Sequence, residues 1–287
     1  MKTCLATSHY VCTYVSAQLL PIPSAPYSNG NSTKKFHSQY KSHHYLLVER
    51  ILPFQSFESL LKDNHMHEQA RIIAICHPKG GVGKTTTTMV LAAALAERAY
   101  RVLVADCDAQ ASASAWANAA PEGRPFPAAV VNLSAYAGKV HREIQKQLDN
   151  YDFVVIDCPP GLDSLSPQSA ILVADLVIVP LPPSPADLWA ARGVKLLIER
   201  GLGLNPSLKA VILANRVVRT SLSNAIMREL NEFGMPLLSS RLSNRTAYQE
   251  AVISGVSVSA LGRDAKVATD EVNALADEVL ALLGEYK

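Results

Sequence analysis

Cysteine is scarce in this sequence: five in 287 residues, an odd number, with no C-x-x-C pair. That excludes a disulfide framework and makes a reducing cytoplasm the default compartment. No uncharged apolar run reaches the roughly 18 residues that a bilayer span requires, so no membrane helix is expected. Acidic residues are absent before Glu49, and arginine before Arg50. The stretch from Leu5 to Leu20 is broken by Ser, His, Thr and Gln, so it makes no clean signal-peptide core. With 48% hydrophobic and 18% charged residues, the composition also argues against wholesale disorder, collagen and coiled coil.

What is present divides at Met66. Residues 1–66 hold six Lys/Arg and three Asp/Glu, and six of the eight histidines (His9, His37, His43, His44, His65, His67) fall in the first 67 positions. Residues 67–287 are balanced, with 21 basic and 22 acidic side chains. The first 66 residues are therefore read as a lead, either poorly ordered or non-native with a start at Met66, and residues 67–287 as a single domain. Cys4, His9 and Cys12 in that lead match no zinc spacing.

The body reads as strand-then-helix units. Short apolar runs occur at Arg71 to Cys76, Arg101 to Ala105, Asp152 to Ile156, Leu176 to Val179 and Leu208 to Ala214. Such nearly continuous runs suit strands covered on both faces, as in a parallel sheet wrapped by helices. Lys84 to Arg98 carries Met89, Ala92, Ala93 and Ala96 at helical spacing, and Thr269 to Gly284 places Val272, Leu275, Ala276, Val279, Leu282 and Leu283 on one face. Ser166-Pro167 and Ser184-Pro185 each set an N-cap residue before a proline, so helices are expected to start there. The expected fold is α/β, a doubly wound and mostly parallel sheet with helices on both faces and ligands at the strands' C-terminal ends.

Between the first strand and the first helix stands His77-Pro78-Lys79-Gly80-Gly81-Val82-Gly83-Lys84-Thr85-Thr86. Three glycines let the backbone turn N–H groups inward at a helix N-terminus, where unpaired donors and the helix dipole favour phosphate oxygens. Lys84 would neutralise phosphates and the Thr85 hydroxyl would ligate Mg²⁺. Pro78 replaces the first glycine of the ordinary phosphate-loop pattern, and Lys79 stands five residues before Lys84. This K-G-G-x-G-K-T-T form resembles the deviant Walker A loop of the ParA/MinD family of ATPases.

That resemblance implies roles for further residues. Asp106-Cys107-Asp108-Ala109-Gln110 resembles the family's D-x-D-x-Q element, so Asp108 would position the attacking water and Asp106 would support Mg²⁺ through a water. Two acids at i and i+2 of a strand end can both point to such a site. Tyr151 to Gly161 has the form of a Walker B strand ending at Asp157, which would hold Mg²⁺, followed by a Pro-Pro-Gly switch turn. Asn215 would read the adenine edge, while Lys79 would reach across an ATP-bound homodimer to the partner's nucleotide. Cys76, Cys107 and Cys158 adjoin these motifs and read as small buried residues.

Within the family, Val179 to Gly193, Arg219 to Ser223 and Ser240 to Arg245 look like the small ParF-type partition ATPases. The implied activity is slow, partner-stimulated ATP hydrolysis coupled to nonspecific DNA binding and release. The implied partner is a small ParB-like or ParG-like centromere-binding protein, and the implied location is the cytoplasm, on the nucleoid. Residues 192–266 hold eleven Lys/Arg against five Asp/Glu, and Arg219, Arg241 and Arg245 are the candidates for binding phosphate. A MinD-like membrane-cycling ATPase would need a basic amphipathic C-terminal helix, whereas Asp270, Glu271, Asp277, Glu278 and Glu285 stand here against Lys287. A cobyrinate amidase-like ligase is the remaining alternative, and nothing in the sequence marks its substrate pocket.

Overall fold

The computed structural model describes residues 70–161, 164–231 and 233–285. The lead expected over residues 1–66, with Cys4, His9 and Cys12, lies outside them. Seven strands, β1 (Arg71–Ile75), β2 (Val102–Asp106), β3 (Ala129–Asn132), β4 (Phe153–Asp157), β5 (Leu176–Leu181), β6 (Lys209–Val217) and β7 (Leu237–Ser243), form one sheet in the order β3-β2-β4-β1-β5-β6-β7. Each of these pairings is parallel. The α-helices among the described residues are α1 (Lys84–Glu97), α2 (Ser112–Asn118), α3 (Val140–Gln145), α4 (Leu165–Ile171), α5 (Pro185–Leu202), α6 (Ser221–Asn231), α7 (Thr246–Ser254) and α8 (Lys266–Leu283).

Strand pleating explains the continuous apolar runs. Ile73 and Ile75 of β1, with Phe153 and Val155 of β4, pack on the face covered by α1 and α8. Their neighbours Ile72, Ala74, Val154 and Ile156 pack on the opposite face, against α3 to α6. Both faces are dry, so every residue of a central strand is apolar until the strand ends; each fully buried large side chain contributes about 1.5–3 kcal/mol. Helix α1 lies in this core, with Met89 to Leu95 all buried, which accounts for its lack of a polar face.

Two strands were not expected from sequence. β3 is largely exposed and β7 mixes three leucines with three serines and an arginine, so neither presents a continuous apolar run. Both lie at the edges of the sheet, where one-sided pairing imposes less burial. On β7, the Ser239 and Ser240 N–H groups donate to Glu278 (2.8 Å each) and the Ser243 N–H donates to Glu271 (3.0 Å), both carboxylates coming from α8. Side chains of α8 thereby satisfy backbone donors on an edge strand.

One helix start differs from the expectation. Ser184 caps α5 by accepting from the Asp187 N–H (3.2 Å), with Pro185 in the first turn, as the dipeptide predicts. In α4 the cap is Ser164, which accepts from the Ser166 N–H (3.4 Å), so Ser166 and Pro167 fall inside the first turn. Proline is tolerated there because the N–H it lacks has no intrahelical acceptor.

Gly255 ends α7 in the left-handed region at φ 67°, with a hypothetical Cβ only 2.0 Å from the Ala120 backbone nitrogen. Gly255→Ala is therefore expected to destabilise the fold by about 2–4 kcal/mol, from left-handed strain and backbone overlap together. Urea unfolding measures it, and a loss under about 0.5 kcal/mol would contradict this packing.

Candidate functional site

The loop between β1 and α1 is shaped by bonds from outside it. Asn215 Nδ2, at the end of β6, donates to the Val82 carbonyl (2.8 Å), and Arg216 Nη1 donates to the Gly81 carbonyl (2.6 Å). The Gly161 N–H, in the turn after β4, donates to the Pro78 carbonyl (2.8 Å). No cis peptide occurs among the described residues, so a carbonyl fixed toward β6 turns the following N–H the other way. The Val82 and Gly83 N–H groups thus point away from β6, an arrangement that cradles an oxyanion.

Gly83 is the N-cap of α1 at φ 94° and offers no side-chain cap, so the first N–H groups of the helix stay open to an anion. A Cβ at Gly83 would lie 2.3 Å from Asn215 Nδ2. Glycine is required here twice over, by conformation and by the approach of Asn215.

The two lysines of the loop are treated differently. Lys84 is buried, with Nζ donating to the Lys79 carbonyl (3.1 Å). Burial pulls its pKa down, against the opposing pull of Asp157 and Asp108, so it lacks enough anionic contact in the chain alone. Lys79 is half-exposed at the rim, where Nζ donates to Asp187 Oδ1 (2.6 Å) while Ser184 Oγ donates to Asp187 Oδ2 (2.5 Å). Burial alone would raise the pKa of Asp187, but these two hydrogen bonds outweigh it and hold the carboxyl below its usual range. Asp187 was not foreseen as a site residue, although the Ser184-x-x-Asp187 spacing of a capped first turn marks where it sits.

Asp106 and Asp157 end neighbouring strands in direct register, both wholly buried. Asp157 Oδ2 accepts from Thr85 Oγ1 (2.7 Å), and its Oδ1 lies 3.5 Å from Thr88 Oγ1. Burial pushes the Asp157 pKa up to about 7, with the Asp106 charge adding to the rise and Thr85 and Lys84 opposing it. Asp106 Oδ2 accepts from the Ser114 N–H (2.9 Å) and hydroxyl (2.8 Å), and its Oδ1 from the Asp108 N–H (3.3 Å). Asp106 therefore anchors α2 and the Asp108 turn, a role the sequence reading did not include. Asp108 uses Oδ1 for the Gln110 N–H (2.9 Å) and lines the cleft.

This cleft, of about 550 Å³, brings Gly80, Gly81, Gly83, Lys84, Thr85 and Thr86 together with Asp108 and Asn215. For Asn215 the expectation is refined: Oδ1 accepts from the Arg216 N–H (2.9 Å) and one Nδ2 proton goes to Val82. A single Nδ2 proton remains for a base, beside the tether to the loop. Arg245, expected among the DNA contacts, lines the cleft and pairs with Glu271 through Nε (3.0 Å) and Nη2 (2.8 Å). Arg219, before α6, and Arg241, on β7 beside Ala214, are exposed and outside that cleft. Cys76, Cys107 and Cys158 are buried free thiols, as expected.

The donor set fits a nucleotide with a divalent cation. An uncapped helix start and a buried lysine short of anionic partners suit phosphates, and a buried carboxylate beside the Thr85 hydroxyl, its pKa raised by burial, suits the cation.

The family model described as the CobQ/CobB/MinD/ParA nucleotide binding domain matches residues 73–258. The "Maintenance of carboxysome distribution protein A" of Halothiobacillus neapolitanus is 33% identical over 213 residues, covering 74% of this chain and 97% of that protein. "Protein ParA" of Rhizobium radiobacter is 30% identical over 186 residues, covering 62% of this chain and 80% of the relative. Among solved structures, the septum site-determining protein MinD of Pyrococcus horikoshii OT3, complexed with Mg-ADP, superimposes with a TM-score of 0.60 at 24% identity, over 75% of this chain and 98% of that one.

The Asp157 environment predicts a pH dependence. Its folded pKa of about 7 lies above the unfolded value of about 4, so between the two the folded chain holds a proton that the unfolded chain does not. The stabilising contribution of Asp157 is then complete below about pH 4 and is lost as pH rises to about 7, by a few kcal/mol at most. Because other carboxylates titrate oppositely, the measurement is the difference in urea-unfolding free energy between wild type and Asp157→Asn, without nucleotide or Mg²⁺. The variant should gain on wild type as pH rises from 4 to 7; a flat difference would refute the assignment.

Proposed function

This chain belongs to the CobQ/CobB/MinD/ParA nucleotide-binding family, and from that premise we propose that it is a ParA-type positioning ATPase. It dimerises around Mg-ATP, binds nonspecific DNA in that state, and leaves it after hydrolysis. One observation carries this reading: the phosphate loop holds two lysines in separate roles, Lys84 buried within it and Lys79 at its rim on Asp187.

Lys84 and the open start of α1 bind the triphosphate. Thr85 and Asp157 would hold Mg²⁺, with Asp106 in support, and the ion would supply positive charge to the phosphates. Asp108 orients the attacking water. Lys79 leaves Asp187 when a second protomer presents its nucleotide. Little covalent chemistry falls to the protein, so turnover is slow until a partner completes the site. Single-domain organisation over residues 67–287 is part of the proposal and is supported by the one sheet that the described residues build.

DNA contact is assigned to Arg219 and Arg241, which are exposed and in no ion pair among the described residues. The cargo is a DNA replicon reached through a small ParB-like or ParG-like protein in the cytoplasm. The near full-length match to the H. neapolitanus protein favours a second reading, in which the cargo is a protein body and the DNA track is the same. Among the described residues no helix is long and apolar enough to cross a membrane.

Size-exclusion chromatography with Mg-ATP should show a dimer for wild type and a monomer for Lys79→Ala; a dimeric variant would remove the role given to Lys79. A gel shift should appear only with ATP and fade with salt. Arg219→Ala with Arg241→Ala should lower the log-log salt slope by about 1 for each DNA phosphate that is no longer neutralised. An ATP-independent shift, or an unchanged slope, would overturn the DNA assignment.

A further inference from the structure

We infer that Glu271, on the C-terminal helix α8, is a positioning residue for nucleotide binding: it fixes Arg245 and Tyr248 as the wall of the cleft beyond the phosphate loop. The inference rests on the nucleotide-binding reading above and deepens it.

Five hydrogen bonds converge on this carboxylate. Oε1 accepts from Ser243 Oγ (2.7 Å) and from Arg245 Nε (3.0 Å) and Nη2 (2.8 Å), and Oε2 accepts from the Ser243 N–H (3.0 Å) and the Tyr248 hydroxyl (2.9 Å). All three residues it holds, Ser243, Arg245 and Tyr248, line the cleft, and Glu271 itself does not. Its action on a ligand must pass through them. The phosphate loop and these side chains line one cleft, so with the phosphates on the loop the ribose and base of a nucleotide would fall to the rest of its lining, these side chains included. Arg245 spends Nε and Nη2 on Glu271, which leaves the Nη1 donors for a ligand and fixes the plane of the guanidinium. Tyr248 turns its hydroxyl to Glu271 and lines the cleft.

The same helix carries its own control. Glu278, two turns on, accepts from the Ser239 and Ser240 N–H groups (2.8 Å each) on the same strand, and neither of these residues lines the cleft. If Glu271 only secured β7, the two glutamates would be equivalent.

The test measures Mg²⁺-dependent binding of ATP and of inorganic tripolyphosphate to the full chain. Tripolyphosphate asks only for the phosphate loop, whereas ATP asks for the wall as well. Glu271→Gln keeps the size of the side chain and cannot offer both oxygens as acceptors. It should weaken ATP about tenfold, leave tripolyphosphate within about twofold, and raise KM for hydrolysis without changing kcat. Glu278→Gln should lower Tm and leave both affinities in place. Unchanged ATP affinity in Glu271→Gln, an equal loss for both probes, or an equal loss of ATP affinity in Glu278→Gln would overturn the inference. Wild type that binds neither probe would instead bring down the nucleotide reading, and this inference with it.

Discussion

The hydrogen bond from the Asn215 amide to the Val82 carbonyl is the contact on which the site depends. A glycine-rich loop has many conformations, and only one of them presents its N–H groups to a phosphate. The loop does not hold that conformation alone, since its Pro78, Gly81 and Val82 carbonyls each accept from a donor outside it. β6 supplies Asn215 and Arg216 for Val82 and Gly81, and the turn after β4 supplies Gly161 for Pro78. Gly83 has to be a glycine because Asn215 comes so close. Strand order makes this possible: β1 lies between β4 and β5, with β6 next, so elements distant in sequence meet at one end of the sheet.

Charge is held short of balance at that end. Two buried carboxylates stand in register, and the Ser114 hydroxyl and N–H already engage one of them. The other, Asp157, has hydroxyl partners and feels the charge of Lys84, whose pKa burial pulls down. Neither ion is fully compensated in the chain alone. A metal and a polyanion added together would compensate both, so binding of the two is expected to be mutually reinforcing rather than sequential.

Legibility from sequence followed burial. β1, β2, β4, β5 and β6 could be read because their interiors are dry on both faces and therefore apolar between the strand ends. β3 and β7 could not, since an edge strand needs fewer apolar residues and β7 is completed by carboxylates from another element. The phosphate loop and its acids were legible because their chemistry needs fixed spacing over a few residues. The partners of those residues were not: Asp187, Arg216 and Glu271 act across 108, 135 and 26 positions respectively, and no local pattern reports such distances.

Arg245 shows why summed charge misleads. In sequence it belongs to a basic zone over residues 192–266, and the acids after residue 269 look like a separate acidic tail. In the fold those acids are engaged one by one: Asp270 by Lys266, Glu271 by Arg245, Asp277 by Arg98, Glu278 by the β7 backbone and Glu285 by Arg71. The tail is a structural counterpart of the body, so its negative sign says little about a membrane. Of the zone's basic residues, only Arg245 and Lys266 are in ion pairs among the described residues, and both pair with acids outside it. What a polyanion would meet is the part of the zone left over, Arg219 and Arg241 included, because charges already bonded inside the protein contribute little to attraction at a distance.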